Sequence, residues 1–258
     1  MTPLYETDTT GAVGWRLFQL GTGDAATFHP LTAEADTLEV LLRLGEMPDS
    51  FGTLYAQLEN DIAQKPDGYV LGVTSAVGGE GVSTVALHLA RAAASKTFKR
   101  VGLLEMSLGE PVLAGRVGAE TSPLTGAGAV SLIENADPTV PVLRLASDSD
   151  ISLLPAGRLP QNPSRSARSP RVRDIIAAAR DRFDLVILDL PAVVSDNAHP
   201  LCVYADGLAF VVRAGITPRT TVARAIERVG RHRVRGMVLN DTYSPVPPGL
   251  KKRLLAEA

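Results

Sequence analysis

Apolar residues fall along this 258-residue chain in two rhythms. From about residue 69 onward, short unbroken apolar runs ("YVLGVTS", "RVGLLEM", "LVILDLP", "GLAFVVRAG", "VRGMVLN") alternate with longer stretches ("VSTVALHLARAAASK", "SPRVRDIIAAARDRF", "TPRTTVARAIERVGRH") whose apolar residues return every three or four positions. The unbroken runs read as strands buried on both faces, the spaced stretches as amphipathic helices. Shorter pieces fit between them: helices at "AVSLIENA" and "SDNAHPLCVYA", strands at "VLRLAS" and "ISLLPAG". A further helix is predicted at about 49–64, with Asp49 as N-cap and Phe51, Leu54, Leu58 and Ile62 on one face. Ser169 is expected to cap a helix with Pro170 at its first position. Strands separated by helices make parallel crossover units. The pattern therefore predicts an α/β fold, a three-layer, doubly wound, mostly parallel sheet, over residues 48–245. Residues 1–47 are weakly periodic and rich in Gly, Thr, Asp and Pro. They read as a mobile N-terminal arm with a short helix at "ADTLEVLLRLG", and residues 246–258 as a C-terminal tail.

Composition narrows the function. The 45% hydrophobic content fills a sizeable core, and the net charge of −2 gives no global signature of a nucleic-acid binder. The charge is divided, however. Residues 1–129 hold 8 Lys and Arg against 15 Asp and Glu, and residues 130–258 hold 18 against 13. A basic half suits an anionic surface or an acidic partner, although a solvated face is the simpler reading. The one cysteine, Cys202, excludes a disulfide scaffold. The start "MTPLYETDTTG" has no basic and apolar leader, and no apolar run approaches the ~20 residues of a membrane span. The chain reads as cytoplasmic, reaching a membrane only through a partner. The four histidines show no metal spacing. "RSARSPRVR" at 165–173 is a basic cluster without interleaved aromatic residues.

Candidate chemistry sits where the first buried strand meets its helix. "GGEGVST" at 78–84 has the glycines of a phosphate-binding loop: Gly78, Gly79 and Gly81 let backbone N–H groups approach an anion, and Ser83 or Thr84 offers a hydroxyl to Mg²⁺. The slot for the phosphate-binding lysine holds Val82. "FDLVILDLPAV" at 183–193 places Asp189 at the end of a strand, where such folds hold a metal-binding carboxylate.

With these residues in place, the chain from about 49 to 242 resembles the cytoplasmic domain of the bacterial tyrosine kinases of capsule and exopolysaccharide systems, relatives of the partition and division ATPases. The segments "LGVTSAVGGEGVSTVALHLARAAA", "ISLLPAGRLPQNPSRSARSPRVRDII" and "FDLVILDLPAVVSDNAHPL" carry the resemblance. It implies ATP and Mg²⁺ as cofactors, Asp189 and Glu105 as catalytic carboxylates, Ser83 and Asp189 as metal ligands, and Asn240 beside an adenine. It also implies the tail of a membrane polysaccharide co-polymerase as partner, with no nucleic acid, and a place at the inner membrane through that partner. The departures cut against catalysis. Val82 replaces the loop lysine. Glu105 and Ser107 stand where two aspartates are expected, and Gly109 where an arginine is. The two arginines of the family's oligomerisation motif fall on Gly52 and Tyr55. Only Tyr243 remains where the family carries a tyrosine cluster. The expectation is a degenerate, non-catalytic member, monomeric or dimeric, whose ATP and Mg²⁺ binding is weak. An active protein-tyrosine autokinase of the same pathway and a partition-type ATPase-like binding protein stay open as alternatives.

Overall fold

The computed structural model describes residues 16–19, 49–65, 67–97, 100–116, 128–134, 139–146 and 149–241. Among them the strands are β1 (Arg16–Gln19), β2 (Tyr69–Ser75), β3 (Val101–Glu105), β4 (Thr139–Ala146), β5 (Ser149–Leu154), β6 (Leu185–Asp189), β7 (Gly207–Arg213) and β8 (Val234–Asn240). They lie in the order β1-β4-β5-β3-β6-β2-β7-β8. The six from β5 to β8 run parallel, and β4 and β1 are added antiparallel at one edge. β2, β3 and β6 are buried at every residue, as unbroken apolar runs require when helices cover both faces.

Helices α1 (Asp49–Ala63) and α2 (Val82–Thr97) cover one face. There Tyr55, Leu58 and Ile62 meet Leu71, Val73, Leu103 and Ile187. The other face is covered by α4 (Ala129–Ile133), α5 (Pro163–Ala167), α6 (Arg171–Arg180), α7 (Ala198–Cys202) and α8 (Arg219–Val229). Their apolar residues pack on Val70, Leu104, Val186, Leu188 and Phe210. A short α3 (Leu113–Arg116) follows β3. Successive residues of β2, Val70 and Leu71, enter opposite cores, and this makes three layers from one sheet.

Three details differ from the sequence reading. Arg16–Gln19 is a strand within the stretch expected to be an arm; the rest of 1–48, including "ADTLEVLLRLG" and Trp15, lies outside the described residues, as does the tail 246–258. Pro170 flanks α6, which begins at Arg171, so the cap is set one residue later; the Ser169 hydroxyl still accepts a hydrogen bond from the Arg171 amide at 3.4 Å. In α1 the buried stripe is Tyr55, Leu58 and Ile62, with Phe51 and Leu54 only partly covered. Tyr55 has an apolar ring large enough to claim the core position from Leu54.

Candidate phosphate-loop site

The ends of β2, β3 and β6 open onto one edge of the sheet, and the loop between β2 and α2 crosses it. Glu80 shapes that loop from inside. Although it sits between glycines, its side chain is 2% exposed. Its carboxylate accepts the amides of Ala76 (3.0 Å), Val77 (3.3 Å) and Arg213 (3.0 Å), and the Thr217 hydroxyl. Its carbonyl accepts the Asn240 side-chain amide at 2.9 Å. Gly81 has φ +90, and a Cβ there would lie 2.2 Å from Asn240 Nδ2, so only glycine fits. Gly78 and Gly79, by contrast, face open space on the outside of the loop. The loop is thus pinned from below and bare above, the form that leaves room for an anion over the N-terminus of α2. Glu80 and Thr217 were missed in the sequence; the signal was a carboxylate held between glycines that would otherwise be left exposed.

Asn240 lies at the end of β8, bound to the loop, and its carbonyl accepts the Ala214 amide. Its visible work is to brace the loop. Val82 is partly buried and packs on the α1–α2 core together with Ala114 and Val238. Where a lysine would rise toward a phosphate, this side chain settles into the protein. Ser83 and Thr84 are partly exposed in the first turn of α2.

Asp189 and Glu105 are neighbours in register on β6 and β3. Both are fully buried, yet their surroundings differ. Glu105 Oε1 accepts the amides of Val112 (2.6 Å) and Leu113 (2.5 Å), and Oε2 accepts that of Ala156 (2.9 Å). Burial still pushes its carboxyl above the usual range, though the three amides pull it back. Both oxygens are therefore occupied in tying the entrance of α3 and the end of β5 to β3. Neither oxygen of Asp189 has a hydrogen-bond partner. Burial pushes its pKa up to about 7; the Ser83 hydroxyl, near but outside hydrogen-bond geometry, pulls it down, Glu105 adds to the rise, and Arg116 opposes it. A buried carboxylate with no donor could hold a cation, and the Ser83 hydroxyl beside it could add a second oxygen.

Ser107 and Gly109 lie in the loop after β3. The Ser107 hydroxyl reaches only the Glu110 carbonyl, at 3.4 Å, and a Cβ at Gly109 would lie 3.8–3.9 Å from Pro163 and Asn197. The loop after β6 is joined to the phosphate loop by the amides of Val193 and Val194, which donate to Ser75 and Ala76, and by Thr74, whose hydroxyl donates to the Pro191 carbonyl. Among the described residues there is no cluster of three metal-ligating side chains, and no helix is long and apolar enough to cross a membrane.

Comparison with known proteins places this architecture. The tyrosine-protein kinase YwqD of Bacillus subtilis is 26% identical over 171 residues, 65% of this chain and 70% of that protein. The succinoglycan biosynthesis transport protein ExoP of Rhizobium meliloti is 29% identical over 179 residues, 67% of this chain but 22% of that one. Among solved structures, the VpsO kinase domain matches 80% of this chain and 99% of its own at 22% identity, TM-score 0.63. The cell division ATPase MinD of Pyrococcus furiosus matches 73% of this chain and 80% of its own at 18% identity, TM-score 0.54. No protein-family model matches the chain.

Proposed function

We propose that this chain, a relative of the bacterial tyrosine-protein kinases with a P-loop kinase-like fold, is a non-catalytic member acting in exopolysaccharide biosynthesis or export. The observation that carries the proposal is the fate of the two key side chains. Val82 packs, partly buried, against the core, and Glu105 gives both oxygens to backbone amides. A general base must be free to turn toward the proton it takes. Three of the roughly four acceptor positions of the Glu105 carboxylate are held by backbone amides of α3 and of the segment after β5, so turning it toward a substrate would release those segments, and its role is a structural brace. Ser107 carries no charge and cannot replace it.

The residues present fit a divalent cation better than they fit a triphosphate. Asp189 and Ser83 would hold Mg²⁺, and the amides of Gly78 to Thr84 would meet phosphate oxygens. Magnesium would neutralise charge on a bound phosphate. What the chain lacks is its own cation over the γ-phosphate, and each lost charge-assisted hydrogen bond costs about 1.5–3 kcal/mol of binding. Weak nucleotide binding without phosphoryl transfer is the expected outcome.

ExoP, a protein of succinoglycan biosynthesis and transport, suggests the partner: the cytoplasmic tail of a membrane polysaccharide co-polymerase, which would hold this chain at the inner membrane. We assign a monomer or dimer in isolation. Gly52 and Tyr55 stand at the positions of the family's ring-forming arginines, and Tyr55 is 1% exposed, so it makes no contact outside the domain. The test is incubation of the purified protein with Mg-ATP alone and with the cytoplasmic tail of a polysaccharide co-polymerase from the same organism. Tail binding without phosphotyrosine supports the proposal. Phosphotyrosine lost in Asp189→Asn would establish the autokinase instead.

A further inference from the structure

The four arginines of residues 165–173 take no part in the site above, yet they lie beside it. α5 packs against the loop where Gly109 stands: Pro163 is within 3.8 Å of a Cβ built there. Arg168 extends from the end of α5, donating through Nη1 to the Ser164 carbonyl at 2.8 Å and through Nη2 to the Asp196 carbonyl at 3.1 Å. Asp196 belongs to the loop after β6, and its carboxylate turns toward Arg228, 4.0 Å away. Beside Arg168, within residues 162–170, opens a cleft of about 570 Å³ lined by Asn162, Ser164, Arg165, Arg168, Ser169 and Pro170. Its polar lining is rich in donors, and no carboxylate lines it. Asn162 accepts the Arg165 amide through Oδ1 at 2.9 Å, leaving its Nδ2 to donate. Arg168 is held in place before any ligand arrives, so little side-chain entropy remains to be lost on binding.

We infer that this cleft binds a phosphate monoester, and specifically a phosphotyrosine carried on a polypeptide. Two guanidiniums and two hydroxyls match the three oxygens of the dianion. The cleft is far larger than a bare phosphate, and Pro170 offers a wall to an aromatic ring. The inference rests on the non-catalytic reading above: a kinase-like chain that makes no phosphotyrosine can still recognise one made by another protein.

The test uses the full chain without ATP, so that catalysis plays no part in it. A short Gly/Ser peptide with one central phosphotyrosine is titrated by calorimetry, beside its unphosphorylated form, a phosphoserine form, inorganic phosphate and phosphatidylglycerol vesicles. Only the phosphotyrosine peptide is expected to bind appreciably. Arg165→Ala, at an exposed side chain, and Arg168→Ala should each weaken it roughly ten- to a hundredfold. Arg165→Ala carries the test if Arg168→Ala proves unstable. Equal binding of all three peptides, no binding of any, or affinity unchanged in Arg165→Ala would overturn the inference. Vesicle binding lost in Arg165→Ala, with none of the peptide, would make the cleft a membrane contact instead. Autophosphorylation is scored separately, so failure of the non-catalytic reading is visible without touching this result.

Discussion

The two edges of the central sheet treat their carboxylates in opposite ways. At the edge where the strands begin, Asp206 accepts the Val70 amide (2.9 Å), Lys65 Nζ (2.9 Å) and Arg180 Nη2 (3.0 Å). Burial alone would raise its carboxyl, but the amide and the two cations outweigh it and hold the pKa below the usual range. Beside it, Asp184 accepts the Arg100 amide at 2.8 Å and its guanidinium at 3.1 Å. At the edge where the strands end, Asp189 is fully buried with neither oxygen satisfied, and its pKa is pushed up to about 7. The first edge contributes stability and the second gives some away. A carboxylate left unsatisfied in a core persists where something else completes it, and a cation is the partner proposed above. Glu105 lies between the two cases: backbone amides meet both its oxygens, yet burial still holds its carboxyl above the usual range.

The sharpest way to break this contrast is Glu105→Ala. It strands two buried amides and one part-buried amide at once, and we expect a loss of about 3–5 kcal/mol in urea unfolding. A loss under about 1 kcal/mol would mean that the carboxylate is free for other work.

Next in size is Asp189→Asn. The folded pKa of about 7 lies above the ordinary 3.8, so the native state keeps a proton that the unfolded chain releases. Wild-type stability should therefore fall as pH rises from about 4 to about 7 and level off beyond. Asn cannot ionise. The variant should match wild type near pH 4 and exceed it at pH 8 by up to about 4 kcal/mol, the full value of the shift. Saturating Mg²⁺ should narrow the gap by stabilising wild type alone. Thermal melts across that pH range check both statements.

Val82→Lys puts a cation over the loop. Nucleotide binding should tighten by about 1.5–3 kcal/mol, read by calorimetry, with no tyrosine phosphorylation, because Ser107 and the occupied Glu105 remain. The smallest effect is expected on the satisfied edge. Lys65 is 49% exposed in its pair with Asp206, so Lys65→Met should cost no more than about 1 kcal/mol, with Arg180 and the Val70 amide still in place.

The strand and helix pattern was legible because parallel strands buried on both faces leave unbroken apolar runs, and β2, β3 and β6 do so. The antiparallel pairing of β4 and β5 was not, since two short apolar runs look alike in either direction. In the site, Gly81 and Asp189 could be read from spacing. Tyr55 could not: the helical pattern offered Leu54, and only packing shows which residue faces the core. Glu105 was read as a base because sequence reveals a carboxylate but not its partners. Three amides from segments up to 51 residues away take most of its acceptor positions, and such long-range satisfaction leaves no local signal. Glu80 was hidden for the same reason, its partners at Arg213 and Thr217 lying 133 and 137 residues further on.

The central claim, that this site carries no phosphoryl transfer, meets its most direct test in the movement of label from the γ-phosphate of ATP to protein tyrosine. Wild type and Asp189→Asn would be compared in Mg²⁺, with the co-polymerase tail present. We predict that the two are indistinguishable and at background. Label on tyrosine in wild type that vanishes in Asp189→Asn would contradict the account.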